Sequence, residues 1–371
     1  MVIVYCGELW YGGTCRMRLE ALERLGHTVI GVDSAYRPTG PVGFAVRALR
    51  KLGYAADPVC VNEALFAAAA RHEPEVVWID KGLTIRPSTL TRVREQRPGV
   101  RLVHYSPDDV RKRHSQSWQY LKCVSLYDLH VTTKSFNVTE LYSWGARAVV
   151  FVNNAYCPRT HRPVSVSAED RARLGGPVGF IGGFEEDRAE AVRFLVQNGI
   201  SVRVWGGAWG RWASRRRHPN LMVEDRCVWG EDYARAICAF DINLGFLRKL
   251  NRDLQTTRSV EIPACRGFLL AERTVEHLRL FEEGVEAEYF ASSKELLEKC
   301  RYYLARPEER LRIAAAGRLR CIRSDYSYGS HVGMVLEKLR RLREEMQGAG
   351  PLTSRGSLRR SHTSLAARVG S

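Results

Sequence analysis

Long apolar runs are missing from this sequence. No stretch approaches the ~20 apolar residues that a helix needs to cross a bilayer. The N-terminal residues MVIVYCGELWYGG have neither a basic leading segment nor a small-residue cleavage site, so they favour a β-strand over a signal peptide. The apolar and charged fractions are those of a globular protein. We therefore expect a cytoplasmic protein.

Paired cysteines and glycine fingerprints are also missing. The ten cysteines are scattered without a C-x-x-C pair, which argues against a zinc knuckle and a redox dithiol. No G-x-G-x-x-G follows the first strand, which counts against a nicotinamide-dependent oxidoreductase. Asp108 and Asp109 are adjacent rather than spaced as D-x-D, and we expect them to cap the next helix. No metal site is predicted.

Acidic residues are scarce. The chain has 57 Lys and Arg against 41 Asp and Glu, giving a net charge of +16. Such an excess favours partners that carry phosphate: a nucleoside diphosphate, an anionic membrane surface or nucleic acid. No nucleic-acid-binding motif is present, so no specific nucleic acid is expected, and peripheral contact with an anionic membrane stays open.

Apolar strands alternate with helical segments in two successive arrays. The first array begins with VIVYCG and a helix in which Leu19, Leu22 and Leu25 form one stripe, and the second begins at VGFIGG. Such arrays predict an α/β protein with two facing Rossmann-like sheets. We predict an N-terminal domain at 1–157, a linker at 158–176, a C-terminal domain at 177–346 and a disordered basic tail at 347–371.

The densest polar cluster lies between two apolar strands of the second array, within residues 243–284. Small hydroxyls and the carboxylates Asp253 and Glu261 stand beside four cations: Arg248, Lys249, Arg252 and Arg258. Cations and exposed amides receive diphosphate oxygens, and a carboxylate can accept both ribose hydroxyls. The alternative is a capped, solvated helix held by ion pairs. The cluster therefore predicts a nucleotide-diphosphate site.

This cluster resembles the donor-binding segment of GT-B glycosyltransferases, particularly the spore-maturation (CgeB-like) group, in which R-x-x-E-x-x-A-C-G-G-F-L-L-A-E recurs. Here the pattern begins with Arg258 and Glu261 and ends with GFLLAE, and Arg266 replaces its first glycine. The resemblance implies a GT-B architecture with the donor site in the second half. It also implies a nucleotide-sugar co-substrate, UDP- or GDP-linked, in place of a cofactor. The acceptor is a glycan, a lipid-linked molecule or a protein.

The resemblance also implies roles for single residues. Asp253 and Glu261 have the spacing of the E-x7-E element of retaining enzymes, which makes Glu261 similar to the ribose ligand and puts Asp253 near the transferred sugar. The diphosphate is expected at Gly182, Gly183 and Arg188, with Thr257 and Arg258. Lys249 or Arg252 would supply the cation that Gly183 does not.

His104 is a second catalytic candidate. It ends an apolar strand in LVHYSPDD, where a histidine is either structural or an acid–base group that faces the cleft. A non-catalytic nucleotide-sugar or glycan-binding protein would keep the same donor pocket without turnover, so this alternative stays open.

Overall fold

The computed structural model describes residues 1–37 and 39–348 of the chain. It contains two six-stranded sheets, in which every pair of neighbouring strands is parallel. The predicted α/β class with two Rossmann-like halves is confirmed. Of the predicted tail, residues 347 and 348 belong to the last helix, and residues 349–371 lie outside the described part of the chain.

The first sheet has the strand order β2-β1-β3-β4-β5-β6. Its strands are β1 Val2–Gly7, β2 Thr28–Asp33, β3 Val76–Asp80, β4 Arg101–Ser106, β5 Leu129–Thr132 and β6 Val149–Phe151. The helices between them are α1 Thr14–Arg24, α2 Gly40–Lys51, α3 Val61–His72, α4 Pro87–Gln96, α5 Trp118–Cys123 and α6 Asn137–Ser143.

The second sheet has the strand order β12-β11-β10-β7-β8-β9. Its strands are β7 Gly176–Ile181, β8 Val202–Trp205, β9 Leu221–Val223, β10 Phe240–Gly245, β11 Leu269–Glu272 and β12 Glu288–Phe290. Its helices are α7 Ala168–Leu174, α8 Glu186–Gln197, α9 Gly210–Ser214, α10 Gly230–Ala239, α11 Arg258–Ala264, α12 Val275–Leu280, α13 Ser293–Leu304, α14 Pro307–Arg323 and α15 Tyr328–Gly348.

Apolar side chains of the buried strands point alternately to the two faces of each sheet, and both faces are packed. In β1, Ile3 and Tyr5 pack with α1 on one face, whereas Val4 and Cys6 pack with α3 and α4 on the other. Successive side chains of a strand point to opposite faces, so a strand that is covered on both faces must be apolar throughout. This explains why the runs VIVYCG and VVWID show no polar alternation.

The last helix crosses back to the first half. α15 packs along α1, and its residues Tyr328, Val332, Val335 and Leu339 belong to the core of the first sheet. The domain boundaries stay a prediction, but this contact means that the two halves share a terminal element. Among the described residues, no helix combines the length and apolarity needed to cross a membrane.

The strand order marks where a ligand can bind. In the second sheet the chain proceeds from β7 outward through β8 and β9, and then returns to the other side of β7 with β10. In such sheets a crevice opens beyond the carboxyl ends of the two strands where the order reverses. The loops after β7 and β10 contain the predicted site.

Candidate functional site

Loops from both halves meet at one cleft. Trp10, which follows β1, packs edge-on against Trp229 before α10, with ring centroids 4.6 Å apart. Lys134, which follows β5, places its Nζ 2.7 Å from a carboxylate oxygen of Asp253. The site is therefore assembled by elements that lie far apart in the chain.

One cavity of about 220 Å³ lies at the carboxyl edge of the second sheet, and we call it the Glu261 cavity. Its walls come from the loop after β1, from the segment at 160–161, from the loops after β7 and β8, and from the starts of α10 and α11. Of the predicted donor residues, this cavity is lined by Gly182, Gly183, Thr257, Arg258 and Glu261.

Tyr233 holds the Glu261 carboxylate by a hydrogen bond, and the His161 ring lies nearby. Tyr233 on α10 donates its hydroxyl to Oε2 at 2.6 Å, and burial together with the Glu261 charge raises the pKa of Tyr233 well above 10. The phenol therefore stays protonated and acts as a donor. His161 Nε2 lies 3.7 Å from Oε1, and its Nδ1 accepts the amide proton of Cys157 at 3.0 Å. Burial lowers the pKa of His161, which favours a neutral ring with its proton on Nε2, facing Glu261.

Glycines form one wall of this cavity. Gly182 donates its amide to the carbonyl of Trp205 at 2.7 Å, which joins the loops after β7 and β8. A Cβ at Gly206 would lie 2.0 Å from the Gly182 carbonyl oxygen, so only glycine fits there. A Cβ at Gly183 would meet no atom within 4 Å. Its backbone therefore faces open space, where a ligand can approach closely.

A second cavity of about 370 Å³ adjoins the first, and we call it the arginine cavity. The two share Gly183, Thr257 and Arg258. Its cations and carboxylates are Lys134, Arg188, Arg248, Arg258, Asp108, Glu185 and Asp253. Each of the three carboxylates is paired with a cation: Asp253 with Lys134, Glu185 with Arg248 at 3.0 Å, and Asp108 with Lys81, which lies outside this cavity.

Arg188 and Arg258 are the cations of this cavity without an ion pair in the described part of the chain. Arg188 donates to the carbonyls of Leu247 at 3.1 Å and Gly183 at 2.9 Å. Burial, and then the neighbouring Arg258, lower the pKa of Arg188 to about 10, so it is charged at neutral pH. The Nε of Arg258 is buried without a hydrogen-bond partner. The carboxylates of the cavity are paired with other cations, so these two adjacent guanidinium groups form no ion pair in the described part of the chain, an arrangement suited to an anion.

Asp253 lies in the wall of the arginine cavity. Besides Lys134, it accepts the side-chain amide of Asn251 at 2.7 Å. Both the Asp253 and the Lys134 side chains are almost fully buried. Asp253 and Arg258 both line the arginine cavity, whereas Glu261 lines only the Glu261 cavity, and the role of Asp253 near the transferred sugar stays a prediction.

Lys249 and Arg252 line neither cavity. Lys249 pairs with Glu272 and is more than half exposed. Arg252 binds Asp109 and Glu140 of the first half, and its guanidinium lies 4.2 Å from the ring centre of Phe136. Arg252 therefore links the two halves, whereas Arg258 lines both cavities, and which cation binds the diphosphate stays a prediction.

His104 is enclosed within the first half. Its ring is 1 % exposed, with Nε2 3.0 Å from the carbonyl oxygen of Lys81 and Nδ1 3.2 Å from Nδ1 of His130. Burial and the neighbouring His130 hold the pKa of His104 well below 6.5. With both nitrogens engaged and the ring buried, this histidine has the geometry of a structural residue, and its acid–base role stays a prediction.

Three residues of the cleft escaped prediction. His161 falls in the segment read as a linker, and Tyr233 looks like part of an ordinary amphipathic helix. Only Lys134 had a recognisable signal in the sequence, because it lies two residues after the strand LHVT, and strand ends in parallel sheets face the ligand. Residues that flank a strand end were therefore informative, whereas linker residues were not.

Comparisons with known proteins agree with this architecture. Residues 188–337 match a family described as Glycosyl transferase-like. Among curated proteins, no sequence matches. Two solved structures each cover 92% of this chain at 13% identity: Anabaena Alr3699/HepE in complex with UDP and glucose, and sucrose-phosphate synthase from Thermosynechococcus elongatus. Their TM-scores are 0.61 and 0.62, and the matches cover 100% and 99% of those chains.

A third structure, α,α-trehalose 6-phosphate synthase from Burkholderia multivorans, matches over 96% of this chain and 99% of its own, at 10% identity and a TM-score of 0.58. At such identities the likeness establishes the fold. The chain has the GT-B fold, and the segment from Arg188 to Glu337, which contains Arg258 and Glu261, is similar to the Glycosyl transferase-like family.

Proposed function

We propose that this protein is a glycosyltransferase that takes its sugar from a nucleoside-diphosphate donor. One observation carries the proposal: Arg258 and Glu261, one helical turn apart on α11, face two adjoining cavities that differ in charge. Glu261 lies in the smaller cavity, and Arg258 lies at the junction beside Arg188. A nucleoside diphosphate has the matching order of hydroxyls followed by phosphates.

In the proposed pose the nucleoside occupies the Glu261 cavity, and the Glu261 carboxylate accepts both ribose hydroxyls. Tyr233 holds that carboxylate in place. The diphosphate passes Gly183, where no side chain intrudes, and meets Arg258 and Arg188. The sugar then lies in the arginine cavity near Asp253 and Lys134. Alr3699/HepE, which shares the fold, was crystallised with UDP-glucose, which supports a uridine donor among the candidates.

Transfer breaks the bond between the anomeric carbon and the diphosphate, and negative charge grows on the leaving phosphate. Guanidinium groups that are already fixed stabilise that charge without reorganising, and this supports a metal-independent reaction. The spacing of Asp253 and Glu261 supports retention of the anomeric configuration, and the pattern from Arg258 onward supports a member of the CgeB-like group. The acceptor hydroxyl belongs to a glycan, a lipid-linked molecule or a protein.

Donor binding is tested by titrating UDP, GDP, dTDP and ADP and their sugar conjugates by calorimetry, with and without chelator. We expect one base to bind, and Glu261→Gln to weaken that binding by roughly tenfold or more, since a charged hydrogen-bond acceptor is lost. Glu231→Gln is the matched control, because Glu231 is exposed on α10 and lines neither cavity. Absence of binding by every nucleotide would refute the donor site.

A non-catalytic nucleotide-sugar-binding protein is the second candidate, because Lys134 neutralises Asp253 at 2.7 Å. Release of nucleoside diphosphate from the bound donor separates the two functions. We expect the double variant Asp253→Asn, Lys134→Gln, which removes both charges together, to abolish release while donor affinity stays within a few-fold. Wild-type protein that binds a donor but never releases nucleotide, with glycan, lipid and peptide acceptors present, would favour the binding protein. Proton NMR of a product would show an inverted anomer if the retaining mechanism is wrong.

A further inference from the structure

Helix α2 exposes an apolar face that no part of the described chain covers. Phe44, Leu52 and Val42 are 70%, 66% and 63% exposed. At 3.6 residues per turn, the apolar positions fill a continuous exposed arc of about 160° on the helix. Around the arc these residues are Phe44, Ala48, Leu52, Ala45, Leu49 and Val42. A helix in a globular protein normally turns such an arc toward the core.

Cations border this arc. Arg47 and Lys51 are exposed beside Phe44, and the side of α2 that contacts the protein is the opposite one, at Gly43. The segment 111–122 continues the surface, because the Trp118 amide donates to the Gly53 carbonyl at 2.9 Å. Trp118 itself is 59% exposed. We call the exposed residues of α2, Leu52 and Trp118 the α2 face.

The two segments that form this surface contain no carboxylate of their own. Residues 39–56 contain three cations and residues 111–122 contain four, and neither segment has an Asp or Glu. The cations lie beside the apolar arc and not within it, so the surface combines an apolar stripe with a basic border. Exposed aromatic and aliphatic residues next to Lys and Arg are the signature of helices that lie in a membrane interface.

We propose that the α2 face docks on an anionic lipid surface. Charge separates this occupant from two others that could cover an apolar face. A second copy would bring the same basic border against this one. The chain segment 349–371 has four Arg and no acid, so it carries the wrong sign as well. An anionic bilayer matches both the apolar arc and its basic border, since its interior accepts the apolar side chains and its headgroups attract the cations.

The α2 face lies beside a cavity of about 450 Å³ beyond β1 and β3, to which α2 contributes Arg47, Arg50 and Lys51. The Nη1 of Arg50 is buried without a hydrogen-bond partner. A docked bilayer would therefore present anionic headgroups at the mouth of this cavity. This arrangement also indicates the acceptor class, a lipid-anchored molecule with an anionic headgroup. That part of the inference rests on the proposed function.

Flotation of the full chain with vesicles tests the docking without any donor, so its outcome is independent of glycosyl transfer. Binding is compared between phosphatidylcholine vesicles and equimolar phosphatidylcholine–phosphatidylglycerol vesicles. We expect binding to the anionic vesicles, and a loss of roughly tenfold or more for Phe44→Ser with Leu52→Ser, because two apolar side chains that the docked bilayer would bury are removed. Arg47→Gln with Lys51→Gln should weaken binding and reduce its salt dependence.

The matched control is Leu319→Ser with Ile322→Ser on α14, where both side chains are 50% exposed, and it should bind like wild type. A variant with Arg355, Arg359, Arg360 and Arg368 changed to Gln should retain most of the binding. Equal binding to both vesicle types, or loss with these four arginines but not with Phe44 and Leu52, would overturn the proposal. So would an absence of vesicle binding, or a wild-type dimer that the Phe44 and Leu52 substitutions dissociate.

Discussion

Replacing Arg258 by methionine separates binding from folding. The Nε of Arg258 is buried and has no hydrogen-bond partner, and no carboxylate pairs with the side chain in the described part of the chain. Methionine keeps the aliphatic bulk and removes the charge. A hydrogen bond to a charged group contributes about 1.5–3 kcal/mol, so loss of the diphosphate contact should raise Kd by about 10- to 150-fold.

The same substitution should not destabilise the protein. A buried donor without a partner costs about 1–3 kcal/mol, and its removal should leave the free energy of unfolding unchanged or raise it by about 1 kcal/mol. Denaturant unfolding measures this directly. Folded protein with weakened nucleotide binding is therefore the expected combination.

Ligand truncation locates the lost contact. Calorimetry with the nucleoside diphosphate and with the bare nucleoside should show a loss for the first and none for the second, because Arg258 lies at the phosphate end of the cleft. Lys249→Met is the control, since Lys249 is exposed and paired with Glu272, and it should bind normally. If Arg258→Met binds the diphosphate like wild type while Lys249→Met does not, the assignment of the phosphate site is wrong.

Three further substitutions test the site and its framework. Tyr233→Phe removes the hydroxyl that donates to Glu261 at 2.6 Å, and denaturant titration should show a loss of about 1.5–3 kcal/mol together with weaker nucleoside binding; unchanged values for both would contradict that contact. Gly206→Ala should lower the free energy of unfolding by about 3 kcal/mol or more, because its Cβ would meet a backbone oxygen at 2.0 Å. Gly199 also has a positive φ, but a Cβ there would meet no atom within 4 Å, so Gly199→Ala should lower the free energy of unfolding by only about 1 kcal/mol. Equal losses of stability at the two glycines would count against the close approach between Gly206 and the Gly182 carbonyl. His331 is the pH probe, since burial lowers its pKa to about 4. The unfolded chain binds this proton first, so stability should fall by about 1.4 kcal/mol per unit as the pH drops from about 6.5 to 4, and His331→Leu should lack that part of the slope in urea titrations.

Local pattern was enough to predict the fold. Continuous apolar strands between helical segments indicated parallel sheets covered on both faces, and the structure has two of them. Short elements were harder to recognise: β9 and β12 have three residues each, too few to show a period. The helical stretch from residue 293 to residue 323 is divided into α13 and α14 at Pro307, which lacks the amide proton that a continuous helix needs.

Arg266 departs from the glycine of the family pattern, and the structure shows how the backbone accommodates the change. The resembling family has glycine at this position, and Arg266 has φ +61°, in the left-handed region that glycine adopts without cost. The residue closes α11, where its amide donates to the Pro263 carbonyl at 2.8 Å. The backbone turn is therefore kept although the side chain has changed.

Partners of charged residues could not be predicted from local pattern. Lys249, Arg252 and Arg258 are equivalent cations in the sequence, and the fold separates them. Lys249 meets Glu272 on a neighbouring strand and Arg252 meets Asp109 of the other half, which leaves Arg258 at the cavity. Glu272 lies 23 positions from Lys249 and Asp109 lies 143 positions from Arg252, and the sequence pattern does not show which carboxylate each cation meets.

The sequence by itself determined the two parallel sheets and the placement of Arg258 and Glu261 on one face of a helix, because burial patterns and helical spacing are local properties. Only the tertiary structure decided what surrounds that helix. It brought His161, Tyr233 and Lys134 to the cleft, enclosed His104 within the first half and left the α2 face uncovered. These outcomes follow from how the halves pack, since the contacts that neutralise, orient or expose a side chain are made between distant segments.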